Sequence, residues 1–355
     1  MDKVFKSPQA PSTVVNADKI FQVATGFFAS KTLLTATNLG LFALLAKGPL
    51  PAREIQEKLG LHSRGLFDFL DALTSLGFLE RSGLKETAIY QNAPDVDTFL
   101  NPNNPHQYMG NVLEMVNNRL YPFWNYLEDA LKSGKPQNEY RETGKPIFEA
   151  LVSSPEKLRK FISAMRGAQL GNFHSFVEKF DFSRYKTLCD VGGASGVLAM
   201  LVATKHPHMK CTTWDIPEVS QLAREYLREM KMKNKVAVKE GDFFTDSFPN
   251  ADIIVMGNIL HDWDLDQKKA LIRKAFNALP KGGAFVVIEN ILDNERKENT
   301  FGLLMSLNML IECEGGFDFT EAEFKEWTRE AGFRYTDLLP LGGPSSAAIA
   351  YKLDE

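Results

Sequence analysis

The sequence predicts an α/β protein in which a helical N-terminal region precedes a mostly parallel sheet covered by helices on both faces. Strand and helix patterns alternate from residue 186 onward, which is typical of a parallel sheet. The first half of the 355-residue chain shows almost only helical periodicity. A glycine-rich turn between Gly192 and Gly196 joins a predicted strand to a predicted helix, as in open sheets that bind a ligand at a strand end.

Composition is that of an ordinary globular enzyme. Hydrophobic residues make up 44% and charged residues 24%, and the net charge is −4, so nothing favours nucleic acid or an anionic membrane as partner. No run approaches the ~18 apolar residues of a membrane span, and Met1 to Val15 lack the apolar stretch of a signal peptide. We therefore expect a cytoplasmic protein. The three widely spaced cysteines indicate core packing rather than disulfides or a metal site.

The N-terminal region has a winged-helix pattern. The predicted elements are helices at Ile20–Ala46, Ala52–Leu59 and Ser63–Leu76, then a hairpin within Phe78–Tyr90. The helix that would enter DNA carries Asp68 and Asp71 but only one base, Arg64, and it would repel a duplex. Its wide apolar stripe instead favours a homodimer contact, with packing against this chain's own second half as the alternative.

Three regions follow from these patterns: a winged-helix-like domain at 1–104, a helical region at 105–180, and a sheet domain at 181–355. In the middle region Phe161 and Met165 share one helix face. Methionine and aromatic side chains form adaptable walls around flat ligands, so both residues are candidate substrate contacts; ordinary core packing is the alternative.

The sheet domain is predicted element by element from its apolar runs and helical spacing. The predicted strands are 185–189, 210–214, 235–239, 253–257 and 284–289, with a closing hairpin of 334–340 and 346–352. The predicted helices are 195–205, 219–230, 265–279 and 321–331. Loops at the carboxyl ends of the parallel strands therefore meet at one edge of the sheet.

The first of these loops suggests a cofactor. Asp190 closes the strand, and Gly192 and Gly193 follow as a doubled glycine. The dinucleotide fingerprint Gly-x-Gly-x-x-Gly is absent, which argues against NAD. A doubled glycine after an acidic strand end is the form used to hold S-adenosylmethionine. The alternative is a tight strand-to-helix turn without a ligand.

Two further strand ends carry carboxylates. Asp215 lies about twenty residues beyond the glycine turn, where it fits the ribose diol of either an adenosyl group or NAD. In the next loop, which begins at Gly241, Asp242 is placed to accept from an adenine amino group and Phe243 to pack on the ring. Three carboxylates at successive strand ends predict a ligand crevice.

His261 is the best-placed base, because it follows the fourth strand at this same edge. A neutral imidazole with a pKa near 6.5 can take a phenolic proton at neutral pH. Glu289, at the end of the fifth strand, and Asp318, in a turn before a helix capped by Thr320, are candidates for orienting the imidazole in its neutral tautomer. A histidine that only caps backbone groups is the alternative.

Six motifs together give a resemblance to a known family. They are Asn38-Leu39-Gly40-Leu41-Phe42, Asp190-Val191-Gly192-Gly193, Asp215-Ile216-Pro217-Glu218-Val219, Glu240-Gly241-Asp242-Phe243-Phe244, Leu260-His261-Asp262-Trp263 and Ser306-Leu307-Asn308-Met309-Leu310. The chain resembles the class I O-methyltransferases of the caffeate and acetylserotonin type, most of all the acetylserotonin group. The resemblance implies a Rossmann-like domain that binds S-adenosylmethionine, a winged-helix-like dimerisation domain that completes the partner's site, and direct methyl transfer to oxygen.

The resemblance also implies roles for individual residues. Asp215 matches the ribose-binding acid, Asp242 and Phe243 the adenine contacts, His261 the general base, Glu289 an orienting acid and Asn308 a substrate-contacting amide, with Met309 beside it. Two stretches of the chain depart from the family. Asp318 stands where relatives often have glutamate, and Gly257 and Asn258 stand where relatives carry a lysine or arginine that contacts the cofactor. Asn258 still offers an uncharged amide.

The sequence thus predicts an S-adenosylmethionine-dependent O-methyltransferase acting on a hydroxyl, most simply a phenolic one, of a small aromatic metabolite, without a metal ion. Three alternatives stay open: methylation of carbon or nitrogen on the same scaffold, a non-catalytic regulatory protein that binds S-adenosylmethionine, and a nicotinamide oxidoreductase. The last is opposed by the missing Gly-x-Gly.

Overall fold

The computed structural model describes residues 15–105 and 107–353. Residues 1–14 and His106 lie outside this part. The prediction that Met1 to Val15 contain no signal peptide therefore falls outside the described residues except at Val15. The chain divides into two compact units, one ending at Leu100 and one beginning at Asn101. The division at 104 and 180 stays a prediction.

The first unit consists of short helices around a three-stranded sheet. Its helices are α1 Asp18–Ala24, α2 Phe27–Asn38, α3 Leu41–Leu45, α4 Ala52–Leu59, α5 Leu66–Ser75 and α6 Pro94–Phe99, with 3-10 turns at Ser63–Gly65 and Lys85–Thr87. Its strands are β1 Leu50–Pro51, β2 Leu79–Ser82 and β3 Ile89–Asn92, in the order β1-β3-β2. The prediction of a single helix over 20–46 was wrong, because three helices cover this range. The chain turns before Phe27, and again at Gly40, whose left-handed φ of +76° ends the helical run.

Helix α1 leaves an apolar face uncovered within this unit. None of its residues is buried, and Ile20, Phe21 and Val23 are 71–74% exposed. The core of the unit forms instead from α3, α4, α5 and β3, with Phe42, Ile55 and Tyr90 at most 2% exposed. An exposed apolar helix of this kind marks an interaction surface.

The second unit begins with helices, as expected. They are α7 Gly110–Met115, a π-helical turn at Val116–Leu120, α8 Tyr121–Phe123, a 3-10 turn at Trp124–Tyr126, α9 Leu127–Ser133, α10 Tyr140–Thr143, α11 Ile147–Val152 and α12 Pro155–Lys179. The 25-residue α12 contributes Phe173, Phe176 and Val177 to the core of the sheet.

A seven-stranded sheet follows. Its strands are β4 Thr187–Val191, β5 Lys210–Asp215, β6 Val236–Glu240, β7 Ile253–Gly257, β8 Ala284–Glu289, β9 Tyr335–Gly342 and β10 Ser345–Tyr351. The helices are α13 Val197–Lys205, α14 Pro217–Glu229, α15 Leu265–Ala278, α16 Thr300–Glu312 and α17 Glu321–Ala331, with a 3-10 turn at Leu260–Asp262. The strand order is β6-β5-β4-β7-β8-β10-β9, and β10 runs antiparallel to both neighbours.

Side chains alternate between two apolar layers, one on each face of the sheet. Leu188, Val255 and Val286 pack in the layer that contains residues of α12 and α13. Their neighbours Cys189, Ile254 and Phe285 pack in the layer that contains residues of α15 and α17. The strand order reverses between β4 and β7, and at such a switch point the loops separate and leave a crevice for a ligand.

The cysteines lie in the core, as their spacing predicted. All three cysteines are buried and unpaired. Within the described residues, none of the helices combines the length and apolar character that crossing a bilayer requires.

Candidate functional site

The glycine turn between β4 and α13 is built for close approach. Gly192, Ala194 and Gly196 all have left-handed φ values of +50° to +74°. At Gly193 a Cβ atom would lie 2.3 Å from Thr213 Oγ1 and 2.7 Å from Asp190 Oδ2. The turn therefore excludes side chains and brings backbone to the switch point.

Two carboxylates support this turn. Asp190 is 3% exposed; burial, with the nearby Asp215, raises its pKa to about 7, although it accepts a hydrogen bond from the Ala199 backbone. Asp215 accepts from the backbone N–H groups of Ala194 at 2.9 Å and of Ile216 at 2.8 Å. Burial raises its pKa to about 6. A carboxylate offers about four acceptor sites, so Asp215 holds the turn and still has sites for a diol.

The loop after β6 provides an aromatic surface. Asp242 Oδ1 accepts from the Phe244 backbone at 2.8 Å, and the Phe243 ring lies edge-on to Trp263 at 5.7 Å. Lys274 fixes this loop, since its Nζ donates to the carbonyls of Phe243 and Phe244 at 2.7 Å and of Asp246 at 2.9 Å.

Gly241 is a glycine for steric reasons. A Cβ atom there would come within 2.3 Å of the Trp214 indole. Across the loop, Trp263 Nε1 is a buried donor without an acceptor in the described part of the protein. Acceptor carboxylates, an aromatic face and an unmet indole donor suit the diol and flat ring of an adenosyl group.

His261 lies buried beside this crevice, 4% exposed. Its Nδ1 is 3.4 Å from Asp318 Oδ1, and its Nε2 is 3.5 Å from Asp262 Oδ1. Burial lowers the pKa of the imidazole, but Asp262, Asp318 and Glu289 outweigh it and raise the pKa to about 10. The acids that would orient the imidazole therefore also stabilise the imidazolium.

Glu289 acts on the backbone that carries His261. Its Oε1 accepts from the backbone N–H groups of Ile259 at 3.1 Å and His261 at 3.3 Å, whereas Oε2 has no hydrogen-bond partner among the described residues. Burial raises the pKa of Glu289 to about 7. Atoms of His261, Glu289 and Asp318 lie within 4.8 Å of one another, a spacing that a metal ion also uses.

The loop before α17 positions Asp318. Cβ atoms at Gly315 and Gly316 would come within 2.7 Å of Asp264 and of the His261 carbonyl, so the two segments pack backbone to backbone. The Asp318 backbone donates to Ser306 Oγ at 3.1 Å. Thr320 and Glu323 form the expected capping box of α17.

Two charged residues of this cluster were missed by the sequence reasoning. Asp262 lies next to His261, and burial raises its pKa to about 6. Lys268, on α15, is 0% exposed; its Nζ donates to the Trp263 carbonyl and lies 3.5 Å from the Phe317 ring centroid. Lys268 shares the buried face of its helix with Leu271 and Ala275, and that spacing was a usable signal.

The predicted substrate residues are only partly brought together. Phe161 and Met309 belong to one apolar cluster that also includes Ala194 of the glycine turn. Met165 is half-buried and lies outside that cluster. Asn308 is 7% exposed, and its Oδ1 accepts from Trp124 Nε1 at 2.9 Å. Asn258, with φ of +52°, donates its backbone N–H to Ile288 at 3.1 Å.

Further aromatic and charged groups near these residues were not anticipated. Phe148, on α11, stacks on Trp263 at 5.8 Å and meets Phe161 edge-on at 6.5 Å. One turn beyond Asn308, buried Glu312 pairs with Arg119 at 2.6 Å. Arg119 also binds Glu139 through two hydrogen bonds of 2.6–2.7 Å.

Comparisons with known proteins agree with this architecture. The family model described as the O-methyltransferase domain matches residues 124–334, and the model of the O-methyltransferase dimerisation domain matches residues 21–102. The crystal structure of human N-acetylserotonin methyltransferase in complex with S-adenosylmethionine superposes with a TM-score of 0.87 at 29% identity, covering 97% of this chain and 100% of that one.

Several methyltransferases are similar to this chain over nearly their full length. The tetracenomycin polyketide synthesis 8-O-methyl transferase of Streptomyces glaucescens is 37% identical over 94% of this chain and 96% of its own length. Acetylserotonin O-methyltransferase of Gallus gallus is 32% identical over 94% and 96%. The N,N-dimethyltransferase OxyT of Streptomyces rimosus is 33% identical over 92% and 93%. The chain therefore belongs to the S-adenosylmethionine-dependent O-methyltransferase family, whose members act on small molecules.

Proposed function

We propose that this O-methyltransferase methylates a phenolic hydroxyl of a small aromatic molecule, with His261 as the general base. The observation that carries the proposal is the buried imidazole between the carboxylates of Asp318 and Asp262, beside the loops that suit an adenosyl group. A base next to a bound methyl donor is the arrangement that O-methylation of a weak acid requires.

S-adenosylmethionine supplies a methyl group on a positively charged sulfur. In the proposal Asp215 accepts from its ribose diol, Asp242 and Phe243 contact its adenine, and Asp190 supports the turn formed by Gly192 and Gly193. Gly241 gives the third loop room against Trp214, and Asn258 offers an amide near the strand end. These residues would align donor and acceptor, which is the larger part of catalysis in an in-line displacement.

The acceptor site is proposed to be flat and apolar. Phe148, Phe161 and Trp263 contact one another in a series of rings, and Met309 packs in the cluster that includes Phe161. Asn308 adds an amide in an otherwise apolar surrounding. Such sites take aromatic ligands with few polar groups. A relative from Streptomyces sahachiroi, 31% identical, is a 3-hydroxy-5-methyl-1-naphthoate 3-O-methyltransferase, which fits an aromatic acceptor.

His261 is matched to a phenol. Its pKa is raised to about 10, and an ordinary phenol also titrates near 10, so proton transfer between the two is close to balanced. Asp318, at 3.4 Å from Nδ1, stabilises the imidazolium that forms. Activity should then rise with pH across the neutral and mildly alkaline range, because only the neutral imidazole accepts a proton.

We also propose that the active form is a homodimer. The matched dimerisation domain covers residues 21–102, and α1 exposes Ile20, Phe21 and Val23. Burying these side chains against a second copy would remove apolar surface from water at about 25 cal/mol per Å².

The proposal is tested by a screen with methyl-labelled cofactor. Hydroxylated naphthoates, indoles and polycyclic phenols are incubated with the enzyme, each beside its amino analogue, and products are identified by mass and fragmentation. We expect label on phenolic oxygen, and His261→Gln serves as the control variant. Label on nitrogen alone would favour N-methylation, the activity named for the relative from Streptomyces rimosus.

A further inference from the structure

A hydrogen bond joins the helical region to α16. Trp124 Nε1 donates to Asn308 Oδ1 at 2.9 Å. Because an indole N–H is only a donor, the oxygen of the amide must face Trp124, and its nitrogen Nδ2 points the other way. Among the described residues Nδ2 has no hydrogen-bond partner, and it is not one of the fully enclosed polar atoms. Its two N–H groups are therefore available to a ligand.

Buried charges hold the segment that carries Trp124 against α16. Arg119 Nη1 lies 2.6 Å from Glu312 Oε2, and the same guanidinium binds Glu139 through two hydrogen bonds. Glu312 follows Asn308 by four residues, so the two side chains lie on one face of the helix. Since breaking a buried ion pair is costly, this contact keeps Trp124 opposite Asn308.

The amide borders the proposed acceptor site. Helix α16 packs against the 3-10 turn that carries His261. Met309, the residue after Asn308, belongs to the apolar cluster that contains Phe161 and, from the glycine turn, Ala194. The N–H groups of Asn308 thus lie on the helix that packs beside both the proposed base and the proposed cofactor loop.

We infer that Trp124 determines substrate specificity by fixing the Asn308 amide as a hydrogen-bond donor, so that the favoured acceptor carries a carbonyl oxygen besides its hydroxyl. The inference rests on the proposed function for the position of the acceptor. A carbonyl oxygen needs only a donor. A second hydroxyl in its place would leave its own proton unpaired, because Oδ1 faces Trp124. A carboxylate would need a cation, and Arg119 is already paired with two carboxylates.

Calorimetry on the enzyme saturated with S-adenosylhomocysteine tests the inference without turnover. Isomeric acetylnaphthols are titrated, each beside the ethylnaphthol of the same substitution pattern, in which a methylene replaces the carbonyl. For the tightest-binding isomer we expect the acetyl compound to bind about tenfold more tightly, the value of one net hydrogen bond. The ratio of the two affinities should fall to about one in Asn308→Leu, and by at least about threefold in Trp124→Phe, in which the amide is free to turn.

Three results of this titration would overturn the inference. They are equal affinities for the two compounds in the unaltered protein, no binding of any naphthol, and an unchanged ratio in Trp124→Phe. A packing role for Trp124 would weaken both ligands by the same factor and leave their ratio unchanged. The comparison in the unaltered protein decides even where a variant does not fold.

A signal from the indole itself completes the test. The N–H proton resonance of Trp124, assigned by its loss in Trp124→Phe, should move upfield in Asn308→Leu because its hydrogen bond is gone, and an unmoved resonance would contradict the inference. A carbonyl preference combined with label on nitrogen in the screen would refute the proposed function and leave this inference standing. Equal affinities combined with label on phenolic oxygen would do the reverse.

Discussion

Replacing Asp190 by asparagine should stabilise the ligand-free protein, and by more at pH 8 than at pH 5. The amide keeps the shape of the side chain and can still accept from the Ala199 backbone, but it carries no charge. The pKa of Asp190 rises from 3.8 to about 7 because the carboxylate is buried near Asp215. At 1.36 kcal/mol per pH unit, this corresponds to an upper bound of roughly 4 kcal/mol above pH 7.

The sign follows from proton linkage. Between pH 3.8 and about 7 the folded protein holds a proton on Asp190 that the unfolded chain has lost, so the stability of the unaltered protein falls as pH rises through this window. Asparagine does not titrate, so the stability of the variant does not fall in this way. Its advantage should therefore grow by roughly 2 to 3 kcal/mol between pH 5 and pH 8.

Urea unfolding followed by circular dichroism at the two pH values provides the measurement. Asp252→Asn is the matched control, since Asp252 Oδ2 accepts from the backbone of Lys186 at 2.7 Å and of Thr187 at 2.9 Å. An uncharged amide oxygen accepts these bonds more weakly than a carboxylate does, so this variant should be less stable. A gain for Asp190→Asn that is equal at both pH values, or no gain at pH 8, would refute the reasoning. Cofactor affinity should fall in the same variant.

Three further predictions concern the site and the assembly. His261→Gln should lower kcat by about 10²- to 10⁴-fold while calorimetric binding of S-adenosylmethionine stays within a few fold; near-full activity would remove His261 from the mechanism. Asp215→Asn should weaken cofactor binding by at least about tenfold, because hydrogen bonds to a charged group are worth about 1.5–3 kcal/mol; unchanged calorimetric affinity would place the ribose elsewhere. The unaltered chain should be a dimer by light scattering at micromolar concentration and Phe21→Asp a monomer, and a monomer before substitution would contradict the proposed assembly.

The sheet was predictable because its signals are local. The apolar runs at Ile253–Gly257 and Ala284–Glu289 match the observed strands residue for residue, since buried parallel strands read as continuous apolar segments. The N-terminal helix was overextended across Gly26 and Gly40. Its apolar spacing continues through both turns, and a periodic pattern does not reveal where the backbone reverses.

In the site, sequence order located the loops but not the contacts within them. His261, Asp215 and Asp242 all lie at strand ends, as expected from the alternation of strands and helices. Glu289 was expected to face the imidazole, yet its Oε1 accepts from two backbone N–H groups. Whether a carboxylate contacts the imidazole or the backbone depends on its side-chain rotamer, which the sequence does not show. Lys268 was overlooked because a lysine on an amphipathic helix usually lies in solvent, and only its place on the apolar stripe shows otherwise.

Helix α15 underlies both halves of the site. Lys268 donates to the carbonyl of Trp263, two residues beyond His261, and Lys274, six residues on, donates to three carbonyls of the loop that carries Phe243. At 1.5 Å rise per residue these two lysines start about 9 Å apart on one stiff rod. A shift of α15 along its axis would therefore move the loop proposed to contact the cofactor and the segment that carries His261 together. Replacing the buried Leu271 of this helix by alanine should accordingly lower both cofactor affinity and turnover.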